Sequence, residues 1–285
     1  MGRIYVVATP IGNLSDISER VLKTLSEVKL IAAEDTRRTL KLLNYFDIKT
    51  SVVSNYKYNE LERGKDLIEQ VIRDDIDIAV VSDAGTPCIS DPGSVLVEMA
   101  RNRGIEVIAI PGPSAVITAL SASGFNFIKF GFMGFIPRDK KEQEKYIGEL
   151  INLSIDTLVL FESPNRIIKS LKMIETSLPD CRLFVVNDLT KYYERSYWGN
   201  ISEVIQKLEE EEKSGLGEYT IVLHKEPALS ISEEAETLSA EAQLVDEIVK
   251  TGCTLKDAVS RVSERTQMSK KDVYKASLNL KEISY

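Results

Sequence analysis

Short β-branched runs at residues 3–8, 30–33, 76–81 and 106–110 are separated by amphipathic stretches at 17–26, 36–46, 61–72 and 95–102. Period-two apolar runs alternating with period-3.6 segments can bury both patterns at once only in an α/β layer structure with a mainly parallel sheet. Pro111-Gly112-Pro113 then breaks the chain as an interdomain turn would. A second α/β set follows, with strands expected at 127–132, 157–161, 183–186 and 219–223 and helices at about 140–152, 165–177 and 201–213. In it, Ser163 is expected to cap a helix that has Pro164 at its first position.

At 285 residues the chain is long enough for about two domains and an appendage, given roughly 150 residues per domain. The expected division is 1–113, 114–225 and 226–285. Composition changes at the last boundary. Residues 226–249 hold Glu226, Glu233, Glu234, Glu236, Glu241, Asp246 and Glu247 and no Lys or Arg, whereas 250–285 hold eight basic and four acidic residues. Leu255, Ala258, Val259 and Val262 share a helix face that starts at Thr254 and Asp257. After Gln267-Met268-Ser269, a further helix starts at Ser269 and Asp272, with Val273, Ala276, Ser277 and Leu280 on one side. With a helix at about 241–250 this is a helix-turn-helix-like unit, which reads either as a nucleic-acid contact or as an oligomerisation cap. Lys270, Lys271, Lys275 and Lys281 favour contact, because Lys270 and Lys271 stand at a helix N-terminus where the dipole gives cations no structural advantage.

The formal net charge of −8 argues against indiscriminate coating of nucleic acid. Cys88, Cys181 and Cys253 are odd in number and lie far apart, which fits a reducing cytoplasm and disfavours a disulfide framework or a cysteine zinc site. No run approaches the ~20 apolar residues that a membrane span needs. The single histidine, His224, closes an apolar run and is expected to be structural. Within one chain that excludes histidine triads and multi-histidine metal sites, so proton transfer falls to carboxylate, Lys, Tyr or solvent.

Three loops rich in small residues follow strands: Thr9-Pro10-Ile11-Gly12-Asn13, Ser82-Asp83-Ala84-Gly85-Thr86-Pro87 and Pro111-Gly112-Pro113-Ser114-Ala115. Each alone is an adequate tight turn. Together, at strand ends of an open α/β sheet, they are expected to line one ligand cleft. None is a phosphate cradle, since the chain has no P-loop and no dinucleotide fingerprint at these positions. Charged strand-end clusters add Glu34-Asp35-Thr36-Arg37-Arg38, with Asp35 as a helix cap, then Glu162 to Arg166 and Asn187 to Arg195.

These strings, in order from residue 3 to about 224, resemble the tetrapyrrole methylase (class III methyltransferase) superfamily, and specifically its bacterial ribosomal-RNA-methylating branch. The long string from Ser82 to Gly93 is the most specific part of the likeness. The resemblance implies two α/β domains with S-adenosylmethionine in the cleft between them, a helical C-terminal extension and a homodimer. It implies methyl transfer to the ribose 2′-oxygen of a cytidine in the decoding region of 16S ribosomal RNA. Cofactor loops carry over onto Pro10, Asp83, Ala84, Gly85, Thr86, Ile89, Ser114, Ala115, Phe161 and Leu189. Cys88 departs from the glycine or small residue of some relatives.

S-adenosylmethionine carries no phosphate and needs no metal, so the absent phosphate motifs are in keeping with it. A ribose hydroxyl is a poor nucleophile, and a base or a hydroxylate-stabilising cation would add ~10²- to 10⁴-fold. Glu34, Asp35, Lys191 and Glu194 are the candidates for catalysis, with Arg37 and Arg166 as phosphate or carboxylate binders. The RNA-binding expectation falls on Arg37, Lys270, Lys271 and Lys275, and the partner is 16S RNA or the small ribosomal subunit. A small-molecule methyltransferase of the same fold would have little use for the basic tail, and a ligand-sensing DNA-binding regulator is the alternative of another class.

Overall fold

The structure, a computed structural model, describes residues 2–211, 216–225, 239–265 and 269–283. It divides into two compact units, Met1–Glu226 and Pro227–Tyr285.

Five short strands, β1 (Ile4–Val7), β2 (Leu30–Ala33), β3 (Ser51–Ser54), β4 (Ile78–Val81) and β5 (Val107–Ile110), form an all-parallel sheet in the order β3-β2-β4-β1-β5. Between them run α1 (Glu19–Glu27), α2 (Thr36–Tyr45), α3 (Glu60–Asp74) and α4 (Ser94–Asn102). Alternate residues of one strand serve opposite faces. Ala79 and Val81 pack with Val21, Leu25 and Leu43 of α1 and α2, while Ile78 and Val80 pack with Leu67, Val71 and Leu96 of α3 and α4. Burial on both sides explains why these strands read as continuous apolar runs.

The next helix, α5 (Ala115–Ala122), leads to a second sheet. Its elements are β6 (Phe130–Phe135), α6 (Lys140–Asn152), β7 (Thr157–Glu162), α7 (Ile167–Ser177), β8 (Arg182–Asn187), β9 (Arg195–Asn200), α8 (Ile201–Glu210) and β10 (Tyr219–His224). The order is β6-β7-β10-β8-β9, with β6 and β7 parallel and the other pairs antiparallel. Leu158, Leu160, Leu183, Val185 and Ile221 face α6, α7 and α8, and Val159, Phe184, Val186 and Val222 face α5. His224 is buried at the end of β10, bonded through Nδ1 to Thr157 Oγ1 (2.9 Å) and stacked on Phe125 (5.0 Å), as a structural histidine should be.

Several expectations are corrected. Strand β6 lies three residues later than its apolar run suggested, with a register shift between Phe132 and Phe135 and Gly134 at φ 68°. Ser163 does not cap α7. Residues 164–166 form a turn, the Ser163 carbonyl accepts from the Arg166 and Ile167 N–H groups (3.0 and 3.1 Å), and the Ser163 hydroxyl bonds Glu162 (3.1 Å). Strands β3 and β9 and helix α5 carried no expectation at all.

In the second unit, α9 (Ala240–Thr251), α10 (Leu255–Arg265) and α11 (Lys270–Ile283) enclose Leu244, Ala258, Val259, Val262, Val273 and Ala276. Thr254 accepts the Asp257 N–H (3.3 Å) and Ser269 the Asp272 N–H (3.2 Å), so both expected helix starts are built from these side chains. Glu226, Glu233, Glu234, Glu236, Gln267 and Met268, and the side chain of Lys281, lie outside the described residues. Among the described residues no helix is long and apolar enough to cross a membrane.

Candidate functional site

Strands β4, β1 and β5 are neighbours, so their carboxyl-end loops meet. Thr9 and Gly85 exchange backbone hydrogen bonds (2.9 and 3.0 Å), Thr9 Oγ1 donates to the Ser82 carbonyl (3.3 Å) and Thr86 Oγ1 to the Pro113 carbonyl (3.1 Å). Gly85 sits at φ 81°, where a Cβ would also press on Ile11 Cγ2 at 3.3 Å. The left-handed backbone and the tight space together require glycine. Ser114 accepts the Ile117 N–H (3.5 Å) and starts α5, whose core cluster has Phe161 and Leu189 packed at its margin. Pro10, Ala84, Gly85, Thr86, Ser114, Ala115, Phe161 and Leu189 are thereby gathered, whereas Ile89 points outward with 62% of its surface exposed. Beside the loops, a cavity of about 280 Å³ is lined by Pro10, Leu14, Arg38, Tyr45, Ser82 and Asp83 among others.

The loop from Ser82 to Gly93 is held from below by Glu60, a buried carboxylate missed in the sequence because it reads as an ordinary helix-start acid. Its Oε1 accepts the Gly93 and Val95 N–H groups (2.6 and 3.0 Å). Cys88 stands at φ 69°, the left-handed region that favours glycine, and burial pushes its thiol up to about 11.

Facing these loops is the carboxyl edge of the second sheet, where Glu162, Tyr219, Asn187 and Arg195 are successive cross-strand partners. The loop that follows β8 reaches the first sheet's loops. A Cβ on Gly12 would stand 2.6 Å from Lys191 Cγ, 2.8 Å from Thr190 Oγ1 and 3.0 Å from the Leu189 carbonyl. Asp188 and Thr190 hold φ of 53° and 67°; aspartate tolerates this left-handed region, but for a β-branched threonine it is a strained state that typically costs about 1–3 kcal/mol. The Thr190 hydroxyl is buried without a hydrogen-bond partner. Strain together with an unsatisfied buried hydroxyl makes this loop a candidate to face a ligand. Neither feature has a sequence signal, since Thr is the wrong residue for positive φ.

The charged groups separate by occupation. Glu34 is partly buried and accepts the Asp83 N–H (3.3 Å). Burial raises its pKa, the Asp83 N–H opposes this, and the charges of Asp91 and Asp83 add to the rise. Asp35 caps α2 as expected and is gripped by Arg37 through Nε and Nη2 (3.2 and 2.8 Å), which holds its carboxyl down at about 2. Arg37 is therefore paired, although its side chain is 86% exposed. Asp83 accepts the Asp35 N–H (3.0 Å) and faces Arg38 Nε (3.5 Å).

On the other side, Lys191 is committed to Asp188 (2.6 Å) and Glu218 (2.9 Å), and Glu194 accepts the Thr190 N–H (2.5 Å). Both therefore brace the strained loop. Arg166 Nη2 binds the Ile136 and Pro137 carbonyls (2.7 and 2.8 Å) and Glu162 (3.0 Å), tying the ends of β6 and β7 together. Of the four expected catalytic groups, Asp35 and Lys191 are ion-paired and Glu194 is held by the Thr190 N–H, whereas Glu34 has no side-chain ion partner among the described residues. Lys270, Lys271 and Lys275 are exposed on α11 of the second unit. Among the described residues no cluster of three or more His, Cys, Asp or Glu could hold a metal.

A doubly wound parallel sheet and a mixed sheet that meet through their strand-end loops define a tetrapyrrole methylase, and the chain belongs to that family, whose model, described as Tetrapyrrole (Corrin/Porphyrin) Methylases, matches residues 3–205. The fold is shared with uroporphyrin-III C-methyl transferase from Thermus thermophilus complexed with S-adenyl homocysteine, at TM-score 0.53 and 16% identity over 78% of this chain and 97% of that one. Closer in sequence are proteins named Ribosomal RNA small subunit methyltransferase I. That of Halalkalibacterium halodurans is 40% identical over 275 residues, 96% of this chain and 93% of the relative. That of Thermotoga maritima is 43% identical over 223 residues, 78% of this chain and 98% of the relative.

Proposed function

We propose that this protein is an S-adenosylmethionine-dependent methyltransferase whose substrate is the RNA of the small ribosomal subunit. In this reading the acceptor is the ribose 2′-oxygen of a cytidine in the decoding region, and the enzyme works as a cytoplasmic homodimer. The observation that carries it is the closure of the Gly85 loops onto the strained Asp188–Thr190 loop, in a chain 40% identical over 96% of its length to a ribosomal RNA small subunit methyltransferase.

The residues suit the cofactor. Positive-φ Gly85 brings backbone groups close to a ligand, Thr190 offers an unpaired buried hydroxyl, and Phe161 and Leu189 supply apolar wall. Backbone amides and apolar walls suit an adenosine and an amino-acid moiety that carry no phosphate. S-adenosylmethionine, when bound, supplies a methyl group already activated on a sulfonium. Pro10, Asp83, Ala84, Gly85, Thr86, Ser114 and Ala115 hold it in this reading, with Ile89 at the rim.

Glu34 accepts the proton of the ribose hydroxyl. Its support is partial burial, a raised pKa and freedom from a side-chain ion partner beside the cavity loops. Lys191, Glu194 and Arg166 act as positioning residues, because their charged atoms are already bonded within the second sheet's edge. Arg37 and, on the second unit, Lys270, Lys271 and Lys275 contact RNA phosphates. The Thermotoga maritima relative bears the same name although 223 aligned residues make up 98% of it, which supports placing the chemistry and part of the RNA grip within the first unit.

The test is transfer of tritiated methyl from S-adenosylmethionine to unmodified small subunits, with the modified nucleotide mapped. Label in a single cytidine ribose of the small-subunit RNA is expected. Transfer to a corrin or porphyrin acceptor, with none to RNA, would overturn the reading.

A further inference from the structure

The carboxyl edge of the second sheet carries a second concavity away from the gathered loops. Between α6 and α7, beyond the ends of β6 and β7, lies a groove of about 750 Å³ whose lining includes Arg138, Lys140, Gln143, Arg166, Lys169 and Ser170. Four of its lining residues are cations and Glu144 is its single acid.

The floor of this groove is rigid. Glu162, whose side chain is 1% exposed, binds Arg166 Nη2 (3.0 Å) and accepts the Ser170 hydroxyl (2.6 Å). The rim is not neutralised. Among the described residues Arg138, Lys140 and Lys169 have neither an ion-pair nor a hydrogen-bond partner. Of the lysines of the same two helices that lie outside the groove, Lys145 pairs with Glu149 (3.8 Å) and Lys172 with Glu209 (2.5 Å), while Lys141 has no ion-pair partner among the described residues. Lys140 and Lys169 also stand in the first turns of α6 and α7, where the helix dipole disfavours cations, so the fold gains nothing from their charge. With Arg166 already paired to Glu162, the three remaining cations around Glu144 still form, on a chain of net charge −8, a local attractive field for an anion.

Register fixes where such an anion would be. Glu162 at the end of β7 and Asn187 at the end of β8 are separated by one strand, β10. Two inter-strand steps of about 4.8 Å put the groove's floor about 10 Å along the edge from the Asp188–Thr190 loop. A strand of RNA that delivers a nucleotide to that loop thus reaches the groove within a few residues.

We propose that the α6–α7 groove binds the phosphates of the RNA strand flanking the acceptor nucleotide, with Arg138, Lys140 and Lys169 as the contacting cations. The inference rests on the RNA-methylating reading for its ligand, and the experiment keeps the two apart. Binding of a fluorescein-labelled single-stranded RNA of decoding-region sequence is followed across a salt series for the wild type, for Arg138→Gln/Lys169→Gln and for the off-groove control Lys172→Gln. Methyl transfer to unmodified small subunits and affinity for S-adenosylmethionine are measured on the same proteins.

Losing two single-strand phosphate contacts should reduce the slope of log K against log salt by about 1.4 and weaken binding roughly 20-fold at 0.1 M salt. The control, the cofactor affinity and the single-turnover rate at saturating subunits should stay at wild-type values. An unchanged slope in a folded double variant overturns the groove, as does a wild type that binds no RNA. Groove-dependent RNA binding without any methyl transfer leaves the groove standing and overturns the methylation reading instead.

Discussion

Gly12→Ala tests the closure of the two edges with a single carbon atom. The added Cβ would lie 2.6 Å from Lys191 Cγ, 2.8 Å from Thr190 Oγ1 and 3.0 Å from the Leu189 carbonyl. Carbon atoms rest about 3.5–4.0 Å apart, so one loop must retreat by about 1 Å. The retreat is costly because the opposing loop is pinned. The Asp188 N–H donates to the Glu218 carbonyl (2.9 Å) and Lys191 Nζ bridges Asp188 and Glu218 (2.6 and 2.9 Å). Overpacking of this kind costs about 1–3 kcal/mol. If the closed arrangement is what holds S-adenosylmethionine, that cost appears as affinity loss of roughly 5- to 150-fold. Calorimetric titration with S-adenosylmethionine measures it, with thermal unfolding as the check on folding. Gly148→Ala, where a Cβ meets nothing within 4 Å, is the neutral control. Affinity within twofold of wild type in a folded Gly12→Ala variant would refute a cofactor site that needs the two loops in contact.

Glu34→Gln should lower the single-turnover rate by ~10² or more and abolish the acid limb of its pH profile. In the wild type that limb falls as pH drops through a pKa lying above the ordinary carboxylate value, since burial raises it. A carboxyl raised on folding is stabilising in its protonated form and costs stability once ionised, so Glu34→Gln should unfold no earlier than wild type at neutral pH, which a denaturant titration checks. Lys191→Met should weaken cofactor binding by loosening the strained loop, while the rate at saturating cofactor and RNA stays within a few-fold of wild type; a rate loss of 10² at saturation would return Lys191 to the alkoxide. Glu60→Ala should destabilise the chain by about 2–4 kcal/mol in urea, because it leaves the Gly93 and Val95 N–H groups without an acceptor, and Glu60→Gln by less. Neutralising Lys270, Lys271 and Lys275 together should flatten the salt dependence of subunit binding by about one unit per lost contact, with cofactor affinity unchanged.

Local pattern was enough for the first sheet's central strands and for most helices, because residues 30–33 or 78–81 are apolar on both faces whatever their neighbours. It was also enough for the caps at Asp35, Thr254 and Ser269, whose side chains bond an N–H two or three residues away. Strand β9 was unreadable since Arg195–Asn200 is a polar edge with only Tyr197 and Gly199 buried, and its strand character exists only through its pairing with β8. The start of α7 was misplaced because the Glu162–Arg166 pair, not Ser163, organises that turn.

The sequence by itself determined the α/β rhythm, the strand-end loops of small residues that form the candidate site, and the lone structural histidine. All of these depend on properties of residues within a few positions of one another. Only the tertiary structure decided which charges are available. Lys191 is neutralised by Glu218, 27 positions away, and Arg166 donates to carbonyls 29 and 30 positions away, while Arg138, Lys140 and Lys169 are left without partners among the described residues. It also decided that Gly12 and Thr190 touch, since that contact depends on how the edges of two sheets meet. A charge's pairing and a loop's opposite wall are long-range facts, set by sheet register and by the closeness of two strand edges, and no local pattern encodes them.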